Sequence, residues 1–154
     1  LIAQGRPYDV VDAVLATGFS DLVRTVAKIE AMEAFKAHEN FEPLAIAFKR
    51  VGNILKDFPG GSVREALLET AEEKTLYRSF LEIRTRALTH LDAEDYPAAL
   101  AEMAGIRQPV DAFFETVLVM AKEEAIRNNR LALLAEISAL FHRVADFAKI
   151  VTGA

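Results

Sequence analysis

"AFKRVGNILKD", residues 47–57, shows the period that runs through most of the chain. At about 100° per residue, Leu44, Ala47, Phe48, Val51, Ile54 and Leu55 share one broad apolar face, while Lys49, Asn53 and Lys56 stack along the opposite side. Arg50 stands on the flank between them. A strand would alternate at every second residue, which this stretch does not do, so it reads as an amphipathic helix. Spacings of three and four recur along almost the whole chain, and the fold class expected is all-α, a multi-helix bundle. The back of any packed helix meets water and is ordinarily polar for that reason alone. Here it is cationic and amide-bearing in a chain of net charge -5, which makes it a candidate anion-binding stripe.

A chain of 154 residues with 52% hydrophobic content can bury one substantial core, and with seven glycines, five prolines and no Ser or Gly tract it offers no linker. One domain over residues 1–154 is therefore expected. The absence of cysteine excludes a disulfide framework and thiolate metal sites and fits a reducing, cytoplasmic setting. No apolar run approaches the roughly 20 residues of a membrane span, and no signal peptide opens the chain, so a soluble protein is expected. The opening "LIAQGRPYDVV" has no Met and is apolar from its first position, which reads as a piece of something longer. A sequence pI near 5.3 argues against nonspecific coating of nucleic acid, though a small basic patch can still read RNA.

Punctuation places the helices. A first helix is expected over Tyr8–Ala16, stopped at Gly18, and a second from a Ser20 cap to about His38. Asn40 opens the helix that holds the quoted stretch. "DFPGGS", 57–62, is a break; it lacks the Gly-Lys-Ser or Gly-Lys-Thr ending of a phosphate loop. Helical patterning resumes from Val63 and Glu72 to Leu91, with Arg78, Glu82 and Arg86 as an exposed ladder. A short helix follows over Tyr96–Ala104. "VDAFFETVLVMA" after Pro109 is apolar nearly all round and reads as the central core helix, and a last helix is expected from Ile126 to Val151.

Catalytic and metal chemistry finds no support in the pattern. His38, His90 and His142 stand far apart, and none belongs to a spacing that puts two ligands on one helix face. Neighbouring carboxylates such as Glu72 and Glu73 point apart on a helix, whereas acid/base pairs must converge. A second basic cluster, "AIRNNRLALL" at 125–134, carries Arg127, Asn128, Asn129 and Arg130. Asn128 or Asn129 is expected to start the last helix. Arg130, on the face of Leu133, Ile137 and Phe141, is expected in a partly buried ion pair with Asp111 or Glu115. Arg127 and Asn128 lie off that face, with His142 and Arg143 farther along.

Four segments in order, "YDVVDAVLA" at 8–16, "AFKRVGNILK" at 47–56, "PVDAFFETVLVMA" at 109–121 and "RNNRLALL" at 127–134, give the chain a resemblance to a known family. It resembles the C-terminal anticodon-binding domain of the bacterial glycyl-tRNA synthetase beta subunit, a helical domain of the DALR type that arginyl-tRNA synthetase shares. The chain departs from the pattern at Gly52, where a helix former is expected, and at Glu124, where a helix-starting proline is expected. The resemblance implies a noncatalytic part of a ligase that joins glycine to its tRNA with ATP and Mg²⁺. The catalytic centre would lie on a separate alpha subunit.

The partners so implied are glycine-specific tRNA and, through the parent beta subunit, the alpha subunit, with no DNA and no membrane. RNA loops are read through splayed bases while cations hold the phosphates. The resemblance thus implies phosphate contacts for Lys49, Arg50 and Lys56, an amide to a base edge for Asn53, and comparable roles for Arg127, Asn128 and Arg143 if they line the same groove. Tyr77 and His142 are the stacking candidates. Two alternatives stand beside this reading: the equivalent domain of an arginyl-tRNA synthetase, and a helical module that docks another protein without RNA.

Overall fold

The rings of Phe48 and Phe141 lie 4.5 Å apart by centroid, and Phe147 meets Phe141 edge-on at 5.0 Å, with Phe35 and Phe41 completing the cluster. Each buried Phe side chain contributes about 1.5–3 kcal/mol by leaving water, so this cluster is a large part of what draws the helices together. The computed structural model describes residues 8–16 and 22–150. Its helices are α1 (Tyr8–Leu15), α2 (Leu22–Phe35), α3 (Phe41–Ile54), α4 (Ala71–Asp92), α5 (Tyr96–Met103), α6 (Arg107–Thr116) and α7 (Glu124–His142). No strand occurs among the described residues, as the all-α reading expects. The stop at Gly18 and the cap at Ser20 lie outside the described residues.

The apolar face of α3 is buried as its spacing requires: Leu44, Ala47, Phe48 and Val51 all go inside. Asn40 stands at its N-cap position but makes no side-chain cap. Its amide instead donates to Ala104 O at 3.0 Å and accepts from Arg107 Nη1 at 3.2 Å, tying α3 to the start of α6. After α3, Gly60 turns the chain with φ 104°, a conformation open to glycine at little cost.

α2 ends at Phe35, three residues before the expected His38, and α4 does not start at Val63. Residues 63–70 run outside the α-helices except for a 3₁₀ turn at Glu65–Leu67, and α4 begins at a reciprocal cap. Glu73 N donates to Thr70 Oγ1 at 3.1 Å, and Thr70 N donates to Glu73 Oε1 at 3.0 Å. The Thr-x-x-Glu spacing of "TAEE", 70–73, carries that signal in the sequence. Of the expected ladder on α4, Arg86 turns instead to Glu102 of α5 at 2.7 Å.

The central core helix expected through Ala121 ends at Thr116. Thr116 Oγ1 donates back to Ala112 O at 2.8 Å, and Val117 is extended (φ -106°, ψ 129°). Beyond it the burial alternates: Val117 and Val119 go inside while Leu118 and Met120 are 68% and 57% exposed. An all-round apolar pattern is therefore two patterns joined, helical to Thr116 and strand-like after it.

The last helix also ends early. α7 stops at His142 rather than Val151; the chain turns, and Asp146 N donates to Ala13 O at 3.0 Å. Asp146 Oδ1 then accepts from Ala148 N at 3.0 Å, capping a 3₁₀ turn at Phe147–Lys149 that inserts Phe147 among the other rings. A continuous helix would carry Phe147 away from that cluster, so tertiary burial overrides local propensity.

α7 starts at Glu123 and Glu124, not at the asparagines. Asn129 is buried, accepting from Arg64 N at 2.7 Å and donating to Arg64 O at 3.1 Å, so it clamps the segment before α4 onto α7. Arg130 is buried in an ion pair, as expected, but its partners are Glu73 at 3.0 Å and Glu69 at 3.3 Å rather than Asp111 or Glu115. Arg130 also donates to Leu118 O, which fixes the extended segment. No helix among the described residues is long and apolar enough to cross a membrane.

Candidate nucleic-acid interface

The outward side of α3 carries the stripe that its periodicity sets there. Asn53 is exposed near the helix end, Lys56 is exposed in the turn that follows, and Lys49 is half-buried. Arg50 lays its guanidinium over the Phe114 ring of α6, Cζ 4.3 Å from the centroid. That stacking orients the fork at the mouth of a cavity of about 280 Å³, which Ile46, Asp111 and Glu115 also line. A stacked guanidinium keeps its donors outward, and beside it Asp111 is taken by Arg107 at 3.2 Å.

The second predicted cluster divides. Arg127 is half-buried and donates to Ala121 O at 3.3 Å, which gives it a local role at the start of α7, and Asn128 is exposed beside it. Arg143 stands at the other end of α7, about 22 Å from Asn128 at the rise of an α-helix. These residues therefore do not form one tight group. His142 is exposed next to Arg143, and Tyr77 is half-buried against the core.

Arg143 joins a group that the sequence does not bring together. With Arg24 and Lys28 of α2 it lines a cleft of about 290 Å³, whose other walls include Glu94 and Tyr96 at the corner between α4 and α5. Arg24 and Lys28 share a face by their spacing of four, a signal present in "RTVAK", 24–28; the third cation comes from the far end of the chain. Lys28 Nζ sits 5.7 Å from the centroid of the Tyr96 ring. Burial, followed by the charges of Arg24 and Arg143, holds the Lys28 ammonium below its ordinary value of 10.5.

The corner itself is built from a helix stop. Asp95 N donates to His90 O at 2.9 Å and Glu94 N to Leu91 O at 3.0 Å, the paired bonds that close a helix through a left-handed residue. That residue is Glu94, with φ 58°, where glycine is usual and a side chain such as glutamate costs about 1–2 kcal/mol. Its carboxylate takes Arg24 at 2.7 Å.

The comparisons with known proteins agree with this architecture. Residues 44–152 match the family described as the DALR anticodon binding domain. The chain is 59% identical over 152 residues to the glycine--tRNA ligase beta subunit of Syntrophus aciditrophicus, covering 99% of this chain and 22% of that protein. It is 50% identical over 151 residues to the protein of the same name from Geotalea uraniireducens, and 46% identical over 150 residues to that of Geotalea daltonii. In each case the chain spans 22% of the relative's length. The match across most of the helical bundle shows that this chain belongs to the DALR anticodon-binding domain family.

Proposed function

We propose that this chain reads the anticodon of glycine-specific tRNA as part of a glycine--tRNA ligase beta subunit. The observation that carries the proposal is the family match over residues 44–152, together with relatives of that name at up to 59% identity. Those names favour the glycyl over the arginyl version of the domain. The parent enzyme would join glycine to tRNA with ATP and Mg²⁺, its catalytic centre lying on the alpha subunit with which the beta subunit assembles. Among the described residues no group of His, Cys, Asp or Glu could hold a metal ion. Its 154 residues act as one unit for binding.

Within that unit, Lys49, Arg50 and Lys56 hold phosphates, and Asn53 offers both a donor and an acceptor to a base edge. Arg127, Asn128 and Arg143 extend the footprint along α7. The division matters because phosphate contacts set register while amide contacts discriminate bases.

Titration of labelled glycine tRNA, beside a copy altered at the central anticodon base, tests the reading. Binding is expected to weaken for the altered tRNA by about 1–3 kcal/mol, the worth of a good base contact in duplex grooves. Equal affinity for the two tRNAs would remove anticodon reading from this chain and leave the docking module as the better account.

A further inference from the structure

Three cations from two distant parts of the chain converge on one cleft, and the carboxylate supply there is short. Arg24 takes Glu94 through both Nε at 3.2 Å and Nη2 at 2.7 Å, so that carboxylate is engaged. Lys28 and Arg143 have no carboxylate partner among the described residues, and Asp92 is the other acidic wall. Glu94 holds Arg24 from a backbone conformation that favours glycine, so the carboxylate is kept at a position where the turn alone would not select it. The volume of about 290 Å³ is roughly ten times the 30 Å³ share of a liquid water molecule, enough for a phosphate group with its hydration.

We propose that the Arg24–Lys28–Arg143 cleft is a subsite for one phosphodiester of the RNA strand. The inference rests on the RNA reading proposed above and adds to it a contact that carries no base information. Arg24 is held in place by Glu94, Lys28 rises from the Tyr96 ring as a point charge, and Arg143 closes the group from α7. A phosphodiester oxygen entering here supplies the negative charge that Lys28 and Arg143 lack among the described residues, and charge-assisted hydrogen bonds to it are the strong kind. The proton affinity of Lys28, lowered first by burial and then by the charges of Arg24 and Arg143, should rise when the anion binds.

The test compares the 154-residue chain with Arg143→Gln and Lys28→Met, the latter keeping an aliphatic stem over Tyr96. Each is titrated with glycine tRNA and with the anticodon-altered tRNA across a range of salt. Each variant is expected to bind both tRNAs about five- to tenfold more weakly, with the ratio between the tRNAs unchanged. The salt slope should become shallower by about 0.7 for each phosphate that is no longer neutralised. Wild-type affinity and slope in both variants, with anticodon discrimination intact in the wild type, would overturn the cleft and leave the anticodon reading standing. Loss of discrimination in the wild type, with weaker binding still in the variants, would overturn the anticodon reading and support the cleft. A readout on the unaltered protein guards against misfolded variants: the Lys28 ammonium, followed by NMR, should gain proton affinity when the anticodon stem-loop RNA is added. An unchanged Lys28 titration on saturation with that RNA would overturn the proposal.

Discussion

Arg130 Nη2 lies 3.0 Å from Glu73 Oε1, and the two side chains are 7% and 0% exposed. The same carboxylate oxygen caps α4 by accepting from Thr70 N at 3.0 Å and lies 3.3 Å from Glu69 N. One buried oxygen thus joins the start of α4, the second turn of α7 and, through Arg130, the extended segment at Leu118. Removing Arg130 leaves a carboxylate buried without its cation. Arg130→Ala should therefore lower the unfolding free energy by about 3–5 kcal/mol, measured by urea denaturation. A double replacement, Arg130→Met with Glu73→Leu, should recover much of that loss, though not the helix cap. If Arg130→Ala leaves the denaturation midpoint unchanged, the ion pair does not hold these segments together.

Acid should expose the same pair. Burial pushes the Glu73 carboxyl up, but the hydrogen bond from Arg130, the Thr70 backbone and the Arg130 charge together bring it below its ordinary 4.5. A carboxyl whose value falls on folding stabilises the native state fully above the unfolded value and loses that contribution as pH drops through the folded one. The stability difference between the wild type and Glu73→Gln should be constant above about pH 5 and shrink on acidification below about 4.5. A difference that stays constant to about pH 3 would mean that folding does not lower the proton affinity of Glu73.

Gly52 sits within α3, exposed, where a helix former is expected. A Cβ built there meets Ala148 Cβ at 3.8 Å, an ordinary contact. Gly52→Ala should stabilise the domain by about 0.5–1 kcal/mol, through lower entropy of the unfolded chain and better helix propensity, seen as a higher Tm. Destabilisation would show that the approach of α3 to the Phe147–Lys149 turn is closer than 3.8 Å implies.

The stripe on α3 separates two kinds of contact. Lys56→Ala and Asn53→Ala change exposed residues and should each leave stability within about 0.5 kcal/mol. In tRNA titrations, Lys56→Ala should weaken binding to both the native and the anticodon-altered tRNA, whereas Asn53→Ala should reduce the difference between them. Unaltered binding in both variants, with normal melting, would make this side of α3 an ordinary solvated back.

Periodicity of three and four was enough to make the chain all-α and to put Leu44, Phe48 and Val51 inside, because a helix has one geometry and its buried face follows from spacing alone. The outward side of α3 is legible for the same reason. What the sequence could not determine is where a pattern stops being helical when burial elsewhere offers more. Val117–Met120 changes from one period to another, and Phe147 leaves the line of α7 for a ring cluster made by α2, α3 and α7. The partners of buried polar groups are equally nonlocal. Arg130 could be read as paired, since a buried cation needs an anion, but only packing chose Glu73 over Asp111 and Glu115. Asn129 reads locally as a cap and is used instead to hold the backbone of Arg64. The cleft of Arg24, Lys28 and Arg143 joins residues more than a hundred positions apart, and such a meeting exists only once the tertiary fold has closed.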